Sequence, residues 1–159
     1  LAPAQPIFAD PPPSPIHVAV DGWSGWQNSG LTGSANYTPY RYAAADTAQA
    51  QAELTNPLPR TAEVLGRGQR VYMTHCVVCH GEKGDGQGYI VPKFPMPPTL
   101  YSEKVRNWND GRIFHVISRG QNLMPSYASQ ILPEDRWAAI HYVRALQRAA
   151  HPNPQDVTP

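Results

Sequence analysis

Cys76-Val77-Val78-Cys79-His80 constrains this chain more than any other stretch. A Cys-x-x-Cys-His run is the attachment signature of c-type haem: the two thiols form thioethers with the porphyrin vinyl groups, and the adjacent histidine is placed to bind iron. Two intervening residues let one turn of backbone reach both vinyls, and His80 then serves as a neutral imidazole ligand beneath the metal. The chain has 2 cysteines, both in this run, and that count excludes the competing chemistries. A structural zinc site uses four Cys or His ligands, usually as two separated pairs. Thioredoxin-like redox chemistry needs a βαβ context, whereas the flanking segments here read as helices and loops. A disulfide between residues three apart would staple almost no chain. The expected cofactor is one haem c, attached through Cys76 and Cys79.

Residues 1–59 are a different material from the rest. Pro3, Pro6, Pro11, Pro12, Pro13 and Pro15 forbid helix and favour extended chain. Gly22, Gly25, Gly30 and Gly33 then supply turns. Trp23, Trp26, Tyr37, Tyr40 and Tyr42 are large apolar bodies with polar tips, which seek partly buried sites. The segment is read as an extended arm that lies along a neighbouring subunit, with wrapping of its own haem domain as the alternative, and with Ala43 to Ala52 as a short alanine-rich helix ended by Asn56-Pro57-Leu58-Pro59. Residues 60–150 form the haem domain and 151–159 an irregular tail.

Within the haem domain Thr61 is an N-cap, followed by Val64, Leu65, Gly68, Val71 and Tyr72 at helical spacing up to the motif. Gly68 weakens a helix by about 1 kcal/mol relative to alanine, so its presence predicts close approach by another helix, the last one. Gly81 to Gly88 is a tight loop without the signature of a phosphate or calcium site. Val91 to Leu100 is proline-rich and extended, and one of its carbonyls is expected to accept the N–H of His80. A helix follows Trp108-Asn109-Asp110-Gly111, with Ile113, Phe114, Val116 and Ile117 inward and Gly120 as its stop. The last helix starts at Pro133, lacks a polar cap at Leu132, and runs to about Gln147.

Met124, in a loop where Pro125 fixes the following backbone, is the preferred sixth iron ligand. Met96 is the alternative methionine, and Met73 points elsewhere. His17, His75, His115, His141 and His151 are the histidine contenders. Pro98, Leu100, Arg119 and Tyr127 are further candidate haem contacts, Arg119 through a propionate. Val77, Val78, Leu123 and Ser126 are expected at the exposed rim. With both axial positions filled, the group would pass single electrons rather than transform a substrate. The net charge of +1 gives no basis for nucleic-acid binding, and no apolar run is long enough to cross a bilayer. The chain opens at Leu1-Ala2-Pro3 without a charged-then-apolar leader, which reads as a mature, processed or trimmed start.

With Cys76 to His80, Met124-Pro125 and the Trp137 to Leu146 helix together, residues 61–148 resemble class I cytochrome c. That resemblance implies an all-α fold around one covalent haem, here with a long irregular Pro/Gly-rich N-terminal extension. Residues 52–59, 84–88, 110–117 and 135–144 together look like the monohaem cytochrome c subunit of bacterial alternative complex III. This family implies a peripheral subunit of a membrane quinol-oxidising complex, taking electrons from a multihaem cytochrome and handing them to a terminal oxidase or a small soluble acceptor. It also implies a meeting of Gly68 and Tyr72 with the last helix near Tyr142, while the cytochrome c resemblance implies haem attachment outside the cytoplasm, in the periplasm or at the outer face of the membrane. A freely diffusing periplasmic carrier is the alternative within the same class. A haem enzyme or gas sensor with a labile Met124 is the alternative from another.

Overall fold

The computed structural model describes residues 40–156. Among these the regular structure is helical: α1 (Thr47–Glu53), α2 (Ala62–Val71), α3 (Val77–His80), α4 (Glu103–Arg106), α5 (Asp110–Arg119) and α6 (Pro133–Ala150). A π-helical turn, Tyr72–Cys76, joins α2 to α3, and a 3-10 turn covers Pro154–Asp156. The described residues form no strand, only an isolated bridge between Gln121 and Met124. The expected all-α architecture is the one observed.

α2 begins where its cap predicts, with Thr61 Oγ1 accepting from Val64 N at 3.2 Å, and packs most extensively against α6. The crossing point is Gly68, which is buried against the Ala138 carbonyl. One turn on, the fully buried Tyr72 ring lies 5.2 Å from Tyr142, the meeting that the family resemblance implied. Tyr72 Oη donates to the Gly81 carbonyl at 2.7 Å, so one side chain links this interface to the end of the haem motif. Helical spacing predicted an uninterrupted helix up to the motif. The backbone instead widens, and Val77 N donates five residues back to Tyr72 O, the i→i+5 pattern of a π-bulge.

α5 is capped by Asn109, whose side chain accepts from Arg112 N at 2.9 Å, and it ends at Gly120 with φ 78°. α6 starts at Pro133 with Glu134 and Asp135 in its first turn and no side-chain cap at Leu132. It runs to Ala150, a turn beyond the expected end. Gln147 Nε2 donates to Leu100 O at 2.8 Å, which ties this end of α6 to the proline-rich run.

The placement of residues 40–58 departs from the expected arm. Tyr42, Ala50, Leu54 and Leu58 are buried in one core with Val64, Ile113, Phe114 and Trp137. α1 lies on α5 at Gly111, where a Cβ would come within 2.4 Å of Leu54 O and 2.8 Å of Ala50 O. The tyrosines satisfy their polar tips on this same domain: Tyr40 Oη pairs with His115 Nδ1 at 2.8 Å, and Tyr42 Oη donates to Glu53 Oε2 at 2.7 Å. This stretch therefore covers its own haem domain. Residues 1–39, with Trp23, Trp26 and Tyr37, lie outside the described residues, and so does the expected docking of that part on a neighbour. Among the described residues no helix is long and apolar enough to cross a membrane.

Candidate haem site

Cys76 closes the π-turn and α3 carries Val77 to His80. A four-residue helix cannot satisfy its own last carbonyls, and the glycine loop that follows supplies donors for them. Gly81 N donates to Val77 O at 2.9 Å, Gly86 N to His80 O at 2.9 Å, Gly88 N to Cys79 O at 3.1 Å and Ile90 N to Val78 O at 3.2 Å. Gly81, Gly84 and Gly86 all have positive φ, and a Cβ on Gly88 would meet Val78 O at 2.1 Å. Glycine adopts the first without strain and, lacking a Cβ, permits the second. The sequence predicted a tight loop here. Its role as the cap of the attachment turn depends on contacts that composition does not specify.

The His80 imidazole is pushed below its ordinary pKa by burial, which favours the neutral form that binds metal. Its Nδ1 is buried without a hydrogen-bond partner among the described residues. The expected bond to a carbonyl of the proline-rich run is thus not formed. The Pro97 carbonyl instead lies over Gly86, where a Cβ would be 2.4 Å away. The half-buried Cys76 thiol is pushed up to about 12, first by burial and then by Cys79. Such a thiol is the reverse of an activated redox cysteine, whose pKa is depressed. Among the described residues no three His, Cys, Asp or Glu side chains cluster as a metal site. Two thiols and an unsatisfied neutral imidazole on one turn fit covalent haem and fit zinc poorly.

Met124 is half-buried and packs on the core together with Tyr127. Its loop is closed in both directions, with Gln121 N donating to Met124 O at 2.9 Å and Met124 N to Gln121 O at 3.0 Å. Asn122 takes φ 53° inside that turn. Three residues past Met124, the Tyr127 ring stands edge-on to His75 at 6.4 Å, one residue before Cys76. The Tyr127 phenol is raised by burial first, then by Cys79 and Cys76. The fold therefore brings the Met124 loop and the cysteine pair to one place. Met96 is 60 % exposed, and its Cγ lies near Gly86 on the loop after the motif.

Residues 63–143, about half of the chain, match the family described as "Cytochrome C oxidase, cbb3-type, subunit III". The chain belongs to this cytochrome c family. The cytochrome is 26% identical over 147 residues to a thiosulfate dehydrogenase of Thiomonas intermedia (strain K12), a match covering 91% of the chain and 43% of that protein. It is 27% identical over 79 residues to cytochrome c6 of Porphyra purpurea, covering 50% of the chain and 68% of the relative. The chain thus spans under half the length of the thiosulfate dehydrogenase it matches. Among solved structures, a chain of a reducing HAO-like protein complex from Kuenenia stuttgartiensis aligns with TM-score 0.49 and 27% identity, covering 57% of this chain and 46% of that one. Family membership brings electron transfer through covalently bound haem c, and Cys76 and Cys79 are the attachment pair.

The remaining expected contacts of the cytochrome divide. Leu100 is half-buried, its N donating to Gly84 O at 2.8 Å and its side chain meeting Gly84 beside Leu146. Pro98 is exposed. Arg119, expected at a propionate, is instead engaged by the arm: Nε donates to Tyr42 O at 2.6 Å and Nη2 to Tyr40 O at 2.7 Å. A guanidinium beside two carbonyls and a tyrosine face, 5.0 Å from the Tyr40 ring, is satisfied by local chain. His115 and His141 are buried and bound to neighbouring segments, His141 Nε2 to Leu58 O at 2.9 Å. Leu123, beside Met124, is 69 % exposed.

Proposed function

We propose that this cytochrome passes single electrons through a haem c held by Cys76, Cys79, His80 and Met124, as a peripheral extracytoplasmic subunit of a membrane quinol-oxidising complex of the alternative complex III type. The observation that carries the ligand reading is the contact of Tyr127 with His75, which draws the Met124 loop toward the attachment turn. When bound, the haem supplies a ferric/ferrous couple, and histidine with methionine raises its potential by favouring the ferrous state. The chain's own residues do the rest. The loop from Gly81 to Ile90 fixes the turn that bears both thioethers, burial keeps His80 neutral, and the closed Gln121–Met124 turn presents the thioether.

Electrons would come from a multihaem subunit and leave to a terminal oxidase or a small soluble acceptor. The exposed Leu123 and the half-buried Val77 and Val78 provide an apolar rim with few charges, which suits a long-lived neighbour better than an electrostatically steered one. Gentle detergent extraction of native membranes, with size separation and detection of covalent haem in this 17.5 kDa chain, tests the assignment. Co-migration with multihaem and iron–sulfur subunits supports the complex. Recovery as a washed-out monomer supports the diffusible carrier.

The match to thiosulfate dehydrogenase along 91% of the chain favours a second reading, in which this cytochrome is the haem portion of a thiosulfate-oxidising enzyme. Thiosulfate-dependent reduction of the purified haem, at a rate that saturates with thiosulfate, would favour it over the carrier.

A further inference from the structure

The loop that carries Met124 returns onto the end of α5, and its anchorage runs through side chains outside the attachment motif. The last carbonyls of a helix have no partner within it. Here Ile117 O accepts from Tyr127 N at 2.9 Å, and Ser118 O accepts from Ser126 Oγ at 2.6 Å. The two residues after Met124-Pro125 therefore satisfy two carbonyls at the end of α5. The Ser118 hydroxyl in turn accepts from Arg136 Nη1 at 2.5 Å. Arg136 belongs to α6, is 3% exposed, and has its guanidinium 4.9 Å from the Phe114 ring centre.

A buried guanidinium is an expensive core residue, since an apolar side chain of similar size fills the same space without desolvating a charge. Its position at the α5 C-terminus places the cation at the negative end of the helix dipole. It also places it on the serine whose carbonyl receives the loop. A thioether is a weak, neutral ligand, so its hold on iron depends on how far its loop is pre-organised.

We infer that Arg136, acting through Ser118 and Ser126, is a positioning residue that holds the Met124 loop on α5 and thereby keeps the thioether on the iron. This rests on the reading of Met124 as the sixth ligand. Phe114 and Ile117 pack from α5 and Trp137 and Ile140 from α6, so the loop is clamped between two fixed helices rather than to another loop.

The test is imidazole titration of the ferric holoprotein, followed by the far-red absorption band of thioether-bound ferric haem. Arg136→Met, Ser118→Ala and Ser126→Ala each remove one link and should bind imidazole about tenfold more tightly than the wild type, the effect of one lost hydrogen bond to a charged or buried partner. Arg136→Lys, which keeps the charge, should fall between Arg136→Met and the wild type. Leu54→Ala, a core change at the α1–α5 contact, should lower the melting temperature and leave imidazole affinity unmoved. Wild-type affinity in all the link variants, or an equal shift in Leu54→Ala, overturns the inference. A wild-type protein without the band overturns both Met124 ligation and the role assigned to Arg136. Should Arg136→Met fail to accumulate with haem, the two serine variants decide the matter.

Discussion

A Cβ built on Gly68 lies 2.0 Å from the carbonyl oxygen of Ala138 and 2.6 Å from its carbon. The helices α2 and α6 therefore meet backbone to backbone, and a fixed peptide cannot step aside as a flexible side chain can. Helix propensity alone would make Gly68→Ala stabilising by about 1 kcal/mol. The overlap decides the sign: the variant is expected to lose about 1–3 kcal/mol, the usual penalty of overpacking, in urea unfolding of the holoprotein. A stability gain would show that the helices separate freely at this crossing.

Tyr40 and His115 form the latch of the N-terminal stretch. His115 is 2% exposed, with Nε2 3.2 Å from Ala44 O and Nδ1 2.8 Å from Tyr40 Oη. The carbonyl requires Nε2 to donate, so Nδ1 accepts from the tyrosine. Tyr40→Phe leaves that buried nitrogen without its donor and should cost about 1–3 kcal/mol. Hydrogen exchange at Ala50 and Leu54 should accelerate before exchange in α6. Unchanged protection of α1 would show that the latch is not what holds it.

The end of α1 should respond to acid. Glu53 accepts from Tyr42 Oη at 2.7 Å, from Gln49 Nε2 at 2.8 Å and from Arg41. Its carboxyl is held below the ordinary glutamate value, first by the Tyr42 bond, then by Gln49 and by the Arg41 charge. A depressed folded pKa contributes stability that is present above the unfolded value, about 4.3 for glutamate, and is lost as pH falls through the folded one. The stability difference between wild type and Glu53→Gln should hold steady near neutrality and shrink at acid pH. Because the Arg41 pair is exposed, salt should weaken its share. A difference that stays constant down to acid pH would remove this linkage.

Much of the haem domain was legible because its signals are local. Cys76 to His80 names its own cofactor, Thr61 and Asn109 cap the helices they precede, and Gly120 stops α5 at the residue the pattern predicts. The crossing at Gly68 was legible because glycine inside a helix needs a reason. Residues 40–58 misled because Tyr40 and Tyr42 follow a proline-rich run and share its character, while their partners, His115 and Glu53, are identified only by folding. Arg119 was ambiguous for the same cause: a surface guanidinium suits a propionate or a carbonyl equally, and the chain brings carbonyls to it. The π-turn at Tyr72–Cys76 and the buried Arg136 left no trace in helical periodicity, since neither interrupts the apolar spacing.

Leu123 is the exposed residue of the proposed rim. It is 69 % exposed and follows Asn122, whose φ of 53° turns the chain, so a polar replacement is accommodated without a cavity. Leu123→Asp should slow electron delivery to the native acceptor by about tenfold through the cost of burying a charge in the encounter complex. The reduction potential should move little by comparison. Equal rates for the two proteins in stopped-flow mixing would take Leu123 out of the docking surface.

Met124 is the proposed second axial ligand of the iron, and proton NMR of the ferrous holoprotein examines that bond directly. A thioether over the haem face gives a methyl singlet shifted far upfield by the ring current. The singlet should be present in the wild type, persist in Met96→Leu and vanish in Met124→Leu. Its absence from the wild type, or its survival in Met124→Leu, would contradict the ligation and with it the assignment of the Met124 loop.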